Sequence, residues 1–204
     1  ITMPKHEKHG DSHFWIISAI HKSIRGSDPD AAIYWLARAL NAGEDPNYIF
    51  RRLLRISLED IGLATIEAQR VVLDNWSTYE RLGPPEGDIS LVMATVFLSL
   101  SPKSNAVYLA EKSASDFAKR YHADHPPKHI LNAPTGLMSD FGYGQGYEYD
   151  HHTKVGFSGQ NYFPDGMKRQ VFYLPVDRGY EKELKKRLSY FTKLRDHLSK
   201  MSEN

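Results

Sequence analysis

The sequence contains no cysteine, which excludes disulfide bonds, thiolate metal ligands and a cysteine nucleophile. Long apolar runs are missing as well. The longest, "LVMATVFLSL" at 91–100, is far shorter than the roughly 18–20 residues of a membrane-spanning helix. The first ten residues, "ITMPKHEKHG", are polar and have no signal-peptide hydrophobic region. We therefore predict a cytoplasmic protein with no membrane partner.

A strong charge bias is also lacking. The 26 Lys and Arg residues against 25 Asp and Glu residues give a formal net charge of +1, so any contact with nucleic-acid phosphates is expected to be local. What is present is the mixture of an ordinary globular protein, with 41% hydrophobic and 25% charged residues. The 204 residues are enough for one sizeable core.

Recognisable catalytic motifs are absent from the sequence. The stretch "FGYGQGYEYDHH" at 141–152 has glycines at every second position, but a phosphate-binding loop follows a strand and carries a Lys-Ser or Lys-Thr pair. No G-x-x-x-x-G-K-[ST] and no G-x-S-x-G motif occurs anywhere. We predict neither catalytic nor cofactor-binding residues in this chain.

The ten histidines suggest metal binding only weakly. Two trios have helical spacing, namely His6, His9 and His13, and His122, His125 and His129. The first trio lies in a polar tail and the second is interrupted by two prolines. The adjacent pair His151-His152 would direct its rings apart in an extended chain. We predict no metal site, and a histidine-based metalloenzyme is the weakest alternative.

Helices with clear start and stop signals fill the first two-thirds of the chain, which predicts an all-α fold built as an antiparallel helical array. Asp28-Pro29 and Asp45-Pro46 each place an N-cap before a proline at the first helical position. Stop signals are provided by Gly26, Gly43 and Gly62. Further helices are predicted over 65–83, over 88–101 as a largely buried element, and from Ser101-Pro102 to 121.

The amino-acid composition of the sequence changes near residue 122. We predict a single domain over 11–204 after an N-terminal tail at 1–10, with a helical core at 11–121, an irregular excursion at 122–178 and a terminal amphipathic helix at 179–201. The excursion is rich in glycine, proline and aromatic residues, and is expected to contain a short helix at Pro134–Phe141 and a short strand at 170–175. The apolar stripe of the terminal helix comprises Leu184, Leu188, Phe191, Leu194, Leu198 and Met201.

Two sets of residues are candidates for contacts with partners. Because interfaces favour aromatic side chains, we predict a subunit interface at Tyr143, Tyr147, Tyr149, Phe157, Tyr162 and Phe163. Contacts with DNA or an acidic partner are predicted at Arg51, Arg52, Arg55, Lys185 and Lys186, although a solvated basic face is the simpler interpretation. Glu59-Asp60 ends a helix, where acids are unfavourable, so a nearby cation or helix N-terminus is expected to offset them.

Several segments together resemble the C-terminal half of the RarA/MgsA family of AAA+ ATPases, relatives of the Werner helicase interacting protein. They extend from about Lys8 to Glu181 in the family's order. The segments are "GDSHFWIISAIHKSIRGSDPDAAIYWLARALNAGEDPNYIFRRLLRISLEDIGLA", "PPEGDISL", "LSPKSNAVYLA", "NAPTGLMSDFGYGQGYEYDHH", "GQNYFPDG" and "FYLPVDRGYE". The stretch "KRYHADHPPKHI" and the last helix match no motif of the family.

The resemblance implies a non-catalytic homotetramerisation domain, akin to a clamp-loader collar, within a DNA-dependent ATPase. It implies action in replication, recombination and repair at stalled forks, with ATP and Mg in an N-terminal AAA+ module whose linker would end in residues 1–10. It further implies DNA and single-stranded DNA-binding protein as partners of the parent protein, and a location at the nucleoid. The alternative is a DNA- or partner-docking module of the same ATPase, since the resemblance does not assign the surfaces.

Overall fold

The computed structural model describes residues 9–121 and 125–202. These residues contain no β-strand, so the prediction of an all-α fold is confirmed for them. The α-helices follow one another as α1 (His9–Arg25), α2 (Pro29–Asn41), α3 (Pro46–Ile56), α4 (Ala68–Leu82), α5 (Asp88–Leu100), α6 (Ala106–Arg120), α7 (Gly136–Asp140) and α8 (Glu181–Ser202). Most of the predicted tail at 1–10 lies outside the described residues.

Capping chemistry determines where α2 and α3 begin. The carboxylate of Asp28 accepts a 3.0 Å hydrogen bond from the Ala31 backbone N–H, and that of Asp45 accepts one of 2.9 Å from Asn47. A proline follows each cap at a position where no backbone donor is needed. Gly43, with φ of +84°, ends the turn after α2. Both predicted helix starts are confirmed.

The third helix is shorter than predicted. It ends at Ile56 instead of continuing to Gly62, and a π-helical turn at Ser57–Ile61 and a short 3₁₀ turn at Gly62–Ala64 follow. The Ser57 hydroxyl donates a 2.7 Å hydrogen bond to the carbonyl of Leu54, a local bond that competes with regular helix geometry. The wider turn changes the direction of the side chains that follow α3.

The sixth helix begins later than predicted, at Ala106 rather than at Ser101. The backbone N–H of Ser104 donates a 2.8 Å hydrogen bond to the carbonyl of Asp60, so it is not available to a helix. The Ser104 hydroxyl oxygen accepts a 3.2 Å hydrogen bond from the N–H of Ala106. Ser101–Asn105 therefore forms a non-helical connection that is bonded to the turn after α3.

The described chain forms two compact units. The first unit comprises the described residues up to Glu111 together with Tyr173–Leu184, and the second comprises Lys112–Phe172 and the residues from Lys185 onward. In the first unit α1 packs against α2, and both α2 and α4 pack against α5. Its core contains fully buried apolar side chains: Ile24, Leu36, Ile49, Phe50, Leu53, Ile56, Val72, Leu91 and Leu98.

Helix α5 is only half buried, which corrects the prediction of a largely buried helix. Its inward face, which includes Leu91 and Leu98, is inaccessible to solvent. The opposite face carries Ile89, Met93 and Leu100, which are 70%, 65% and 65% exposed. The outward face is apolar, and the part of the chain that the structure describes leaves it uncovered.

A short segment, Tyr173–Leu184, returns to the first unit and completes it; we call it the returning segment. The N–H of Tyr180 donates to the carbonyl of Ala64 at 2.9 Å, and Arg178 Nε donates to the carbonyl of Lys103 at 2.6 Å. Gly179 lies between them with φ of +52°, and a Cβ atom there would overlap the Ala64 carbonyl oxygen. The segment therefore depends on glycine for its close approach to the rest of the unit.

Local turns dominate the second unit. Helix α7 begins after Thr135, whose hydroxyl accepts a 3.3 Å hydrogen bond from Met138, and this short helix was predicted. Gly142, Gly144 and Gly146 have φ of +81°, +73° and +82°, so the chain turns at each of them, as expected from "FGYGQGYEYD".

The predicted strand at 170–175 is wrong. No ladder of backbone hydrogen bonds forms there within the described part of the chain. The side chains contact helices instead: Phe172 packs edge-on against Phe117 of α6, and the Tyr173 hydroxyl donates a 2.8 Å hydrogen bond to Glu181 of α8. The aromatic and β-branched residues there favour a strand, but the described chain supplies no strand with which they could pair.

Candidate functional site

The arginines predicted to contact DNA or an acidic partner do not share one environment. Arg51 and Arg52 are exposed on α3, and the guanidinium carbon of each lies 5.8 Å from the centre of the Tyr48 ring. Arg51 also lies 3.6 Å from the carboxylate of Asp45. These two arginines form an exposed basic patch on an aromatic ring.

Arg55 belongs to a different cluster. Its Nε donates a 2.9 Å hydrogen bond to Glu59, and its guanidinium lies 5.7 Å from the centre of the Tyr108 ring. Lys185 and Lys186, the other predicted cations, are exposed on α8 in the second unit. The predicted basic residues are therefore divided among three places.

All of the predicted interface aromatics belong to the second unit. Tyr143 is half-buried, whereas Tyr147 and Tyr149 are 46% and 51% exposed. The rings of both His151 and His152 lie against Tyr149, with centroids 5.1 Å and 4.9 Å away. Asp150–His152 forms a 3₁₀ turn and not an extended chain, so the backbone geometry for which diverging rings were expected is not present.

The two predicted phenylalanines are each covered by an arginine. Phe157 packs against Phe191 of α8 at 5.2 Å, and the guanidinium of Arg195 lies 5.1 Å from its ring centre. Phe163 has the guanidinium of Arg169 at 5.6 Å. Both rings are half-buried, so they contribute to the packing of their own unit.

Asp150 holds the loop that carries Tyr162. Its carboxylate accepts hydrogen bonds from the N–H and hydroxyl of Ser158 at 2.7 Å and 2.8 Å, and from the Tyr162 hydroxyl at 3.1 Å. The hydrogen bonds from Ser158 lower the pKa of Asp150 below its ordinary value; burial opposes them, and the bond from Tyr162 adds to the lowering. Tyr162 is thus held in place while 43% of it remains exposed.

One polar concave site of the first unit was not predicted. We call it the polar cavity. It measures about 470 Å³ and is lined by Arg25, Glu59, Asp60, Lys103, Ser104, Asn105, Tyr108 and Arg178. Helix α1, the π-helical turn, the start of α6 and the returning segment each contribute residues to it.

Arginines neutralise both carboxylates of the polar cavity. Arg25 Nε donates a 2.6 Å hydrogen bond to Asp60, and Nε2 of His21 lies 2.6 Å from the other oxygen of that carboxylate. Glu59 pairs with Arg55 at 2.9 Å and with Arg25 at 3.5 Å. The expectation that a nearby cation offsets these acids is confirmed.

The protonation of Asp60 follows from these contacts. Burial acts to raise its pKa, but the hydrogen bonds and charges of His21 and Arg25 outweigh burial and lower the pKa below its ordinary value. The hydrogen bond to Asp60 raises the pKa of Arg25, with burial opposing. The pair is therefore ionised at neutral pH.

A metal ion could in principle use this cluster. One ligand atom each of His21, Glu59 and Asp60 lies within 4.8 Å of the others. However, both carboxylates already accept hydrogen bonds from guanidinium groups, and a divalent cation would have to displace Arg25 against its positive charge. The chemistry of the cluster is that of an ion-pair network. Of the predicted histidine trios, His6 and His122 lie outside the described residues.

Lys103 supplies a further positive charge to the wall of the polar cavity. Its ammonium group donates hydrogen bonds to the carbonyls of Ser99 and Ser101 at 2.8 Å and 2.6 Å, and to the Ser27 hydroxyl at 3.1 Å. Burial lowers the pKa of Lys103, and the charge of Asp60 opposes this effect. The ammonium lies at the C-terminus of α5, where the helix dipole favours a cation.

Sequence reasoning missed this cavity because its residues come from four distant parts of the chain. One signal was nevertheless available. All eight residues lie in segments that carry the family resemblance, within "HKSIRG", "RISLEDIGLA", "LSPKSNAVYLA" and "FYLPVDRGYE". Among the helices that the structure describes, none combines the length and apolar character needed to cross a bilayer.

Comparison with known proteins gives one consistent result. Residues 26–192 match the family described as MgsA AAA+ ATPase C terminal. The chain is 44% identical over 191 residues to replication-associated recombination protein A of Coxiella burnetii and 43% identical over 182 residues to that of Escherichia coli K12. These alignments cover 93% and 89% of this chain, but only 43% and 41% of the relatives.

A eukaryotic protein is also similar. ATPase WRNIP1 of Dictyostelium discoideum is 35% identical over 173 residues, which cover 82% of this chain and 19% of that protein. The chain thus spans about two fifths of the length of its bacterial relatives and a smaller share of this one.

Proposed function

The chain belongs to the family of MgsA AAA+ ATPase C-terminal domains, and from this premise we propose that it is the homotetramerisation domain of a DNA-dependent ATPase. That ATPase would act in replication-associated recombination, at stalled replication forks on the nucleoid. The name of the bacterial relatives, replication-associated recombination protein A, supports the process. The assembly role rests on an observation in the structure.

That observation is the exposed apolar face of α5. Asp88 is the only charged residue of the helix, yet Ile89, Met93 and Leu100 remain 65–70% exposed. Covering such side chains with another apolar surface contributes roughly 1.5–3 kcal/mol for each one that becomes fully buried. A chain that keeps an apolar face of this kind gains free energy by covering it.

A second copy of the same chain is the occupant that fits this face best. The face carries no charge that would select a complementary partner, and permanent homo-oligomer interfaces are the apolar ones. Closed symmetric assemblies, dimers of dimers among them, pair identical patches. The exposed aromatic residues Tyr147, Tyr149 and Tyr162 are candidates for a second contact of the tetramer.

Light scattering during size-exclusion chromatography tests the assembly. At micromolar concentration we expect a mass four times the 23.3 kDa of one chain. In Met93→Glu, a charge at the centre of the face should weaken association by about 2–4 kcal/mol, which is roughly 30- to 1000-fold in the dissociation constant. The variant should therefore elute as a smaller species.

Leu109→Glu is the matched control. Leu109 is 51% exposed on α6, so the same charge on another apolar surface side chain of the first unit should leave the mass unchanged. The assignment of the α5 face would be refuted if the unsubstituted chain were a monomer, or if both variants dissociated equally. Tyr149→Glu tests the proposed second contact of the tetramer, and should likewise lower the mass measured by light scattering.

We further propose that ATP and Mg bind in an N-terminal AAA+ module of the full-length protein and that this chain does not hydrolyse ATP. The sequence has no G-x-x-x-x-G-K-[ST] loop, whose backbone and lysine hold nucleotide phosphates. A phosphate-release assay on the purified chain should show no turnover above the buffer rate. Turnover that survives repeated purification would contradict the proposal.

Docking of DNA, or of single-stranded DNA-binding protein, is the second candidate function. It is supported by the exposed cations of α8, among them Lys185, Lys186 and Lys193, and by the Arg51 and Arg52 patch. Binding to a short forked DNA should weaken steeply between about 50 and 200 mM salt, as phosphate contacts do. Absence of binding at low salt would eliminate this role and leave the oligomerisation proposal intact.

A further inference from the structure

We propose that the polar cavity of the first unit binds a phosphate group, a role that goes beyond oligomerisation. The proposal rests on the residues that line one cavity of about 470 Å³ and on their charge balance. It does not depend on the tetramer, because every one of these residues belongs to the first unit of a single chain.

The charges of the cavity do not cancel. Arg25 and Arg55 neutralise Asp60 and Glu59, as described above. Lys103 and Arg178 remain, and neither forms an ion pair with any carboxylate among the residues the structure describes. The lining residues include three cations and two carboxylates, so the wall itself carries about one uncompensated positive charge, and about two once Arg55, which pairs with Glu59 from outside the lining, is counted. A concave, positively charged surface attracts an anion.

Hydrogen-bond donors are also available there. Arg178 uses only its Nε atom, toward the Lys103 carbonyl, so its two terminal nitrogens have no acceptor in the described chain. The Tyr108 hydroxyl and the Asn105 side-chain amide likewise make no hydrogen bond to another described residue. All three N–H groups of the Lys103 ammonium already donate hydrogen bonds within the chain, so Lys103 would attract an anion through its charge alone.

These features favour phosphate over the other ligand classes. A guanidinium offers two parallel N–H groups that match the oxygens of a phosphate, and hydroxyl and amide donors can bind the remaining oxygens. A divalent cation would be repelled by Arg25, Lys103 and Arg178. An apolar ligand would offer no acceptor to the terminal nitrogens of Arg178. The phosphate could be a free ion or part of a nucleic-acid backbone.

Calorimetric titration of the 204-residue chain with inorganic phosphate, against sodium chloride at equal ionic strength, tests the site. We expect the unsubstituted chain to bind inorganic phosphate saturably. Arg178→Gln should weaken it about tenfold or more, the cost of a charge-assisted hydrogen bond. Tyr108→Phe keeps the ring under Arg55 and loses only the hydroxyl, so it should weaken binding about threefold.

The matched control is Arg70→Gln, which removes the same charge from an exposed site on α4 and should leave phosphate binding unchanged. If Arg178→Gln does not fold, as judged by circular dichroism, the Tyr108→Phe result decides. No saturable phosphate binding, equal loss in Arg70→Gln and Arg178→Gln, or equal affinity for glutarate would each overturn the proposal, the last because the site would then not distinguish a phosphate from a carboxylate.

A second titration identifies the source of the phosphate group. A single-stranded oligonucleotide of about 15 nucleotides, long enough to span one single-strand binding site, would compete with inorganic phosphate if a nucleic-acid backbone occupies the cavity. Its affinity should then fall in Arg178→Gln but not in Arg70→Gln. Phosphate binding that the oligonucleotide does not displace would assign the site to a free phosphate ion.

Discussion

The two units of the molecule are stabilised in different ways. The first has a core of fully buried apolar side chains contributed by α1 to α5. In the second, Pro127 is the only buried residue of the part that the structure describes. Its aromatic rings are half-buried or exposed, and its turns are held by side-chain hydrogen bonds such as that of Gln160 Nε2 to the Glu148 carbonyl at 2.6 Å.

The difference separates stability from recognition. Burial of apolar surface is the dominant favourable term in folding, so a unit without a buried core contributes little of it. The aromatic residues of the second unit are held by local bonds and remain accessible. In the first unit Phe50 and Tyr79 are enclosed in the core, whereas Phe14 and Trp15 are exposed. We therefore expect substitutions in the first unit to alter the free energy of unfolding and those in the second unit to alter mainly local order.

Phe50→Ala should have the largest effect. Phe50 is inaccessible to solvent and stacks on Trp76 at 5.6 Å, beside Tyr79 at 5.7 Å. Removing the ring leaves a cavity, which costs about 3–5 kcal/mol of unfolding free energy. Urea denaturation followed by near-ultraviolet circular dichroism measures it. Phe14→Ala, at a side chain that is 68% exposed, should change stability by less than about 0.5 kcal/mol.

Two glycines with positive φ, one in each unit, test the contrast between the units at the level of the backbone. Both Gly179 and Gly166 have positive φ, +52° and +77°. Gly179→Ala should cost about 3 kcal/mol, because its Cβ would overlap the Ala64 carbonyl oxygen in addition to the left-handed strain. A Cβ added at Gly166 would meet no atom within 4 Å, so Gly166→Ala should cost only about 1 kcal/mol. Equal losses of stability would contradict this account.

Asp60→Asn should destabilise the first unit by about 2 kcal/mol at pH 7, less than a fully buried pair because Arg25 is half exposed. The pKa of Asp60 is lower in the folded chain than its unfolded value of about 4. Its stabilisation is therefore complete above that value and is lost as the pH falls through the folded pKa. Urea midpoints of the two proteins should converge as the pH is lowered below about 4, whereas a constant difference would be inconsistent with the ion pair.

Phe157→Ala should have the smallest effect on global stability, about 1 kcal/mol, since the ring is only half-buried between Phe191 and Arg195. Its expected consequence is local. Hydrogen exchange should accelerate for amides of the second unit while those of α2 and α3 keep their rates. Uniform acceleration throughout the chain would show that the second unit shares the stability of the first.

Local signals in the sequence identified the helices that begin with their own caps. Asp28-Pro29 and Asp45-Pro46 act within one turn, so these residues alone suffice to place the starts of α2 and α3. Ser101–Asn105 was assigned to a helix because Pro102 resembles a helix start, whereas a bond from Ser104 to the distant Asp60 decides its conformation. The residues at 170–175 look like a strand, but a strand requires a partner, and the described part of this fold supplies none.

The candidate sites show the same limit. The exposure of Tyr147 and Tyr149 cannot be read from their types, because tyrosine suits cores and surfaces alike. The apolar sequence of α5 indicated burial without saying whether its own chain or another would provide the cover. The polar cavity depends on contacts between residues 35 to 75 positions apart, such as Arg25 with Asp60 and Arg178 with Lys103. No local pattern encodes such pairs.

The returning segment Tyr173–Leu184 has a consequence for biosynthesis. A ribosome that has released residues up to Glu111 has delivered every helix of the first core, but neither Arg178 nor Tyr180. The Lys112–Phe172 stretch must emerge before the hydrogen bonds to Lys103 and Ala64 can form. During the synthesis of the entire intervening stretch, the core of the first unit therefore lacks its contacts with the returning segment. The turns of the second unit can form while the first unit is still incomplete.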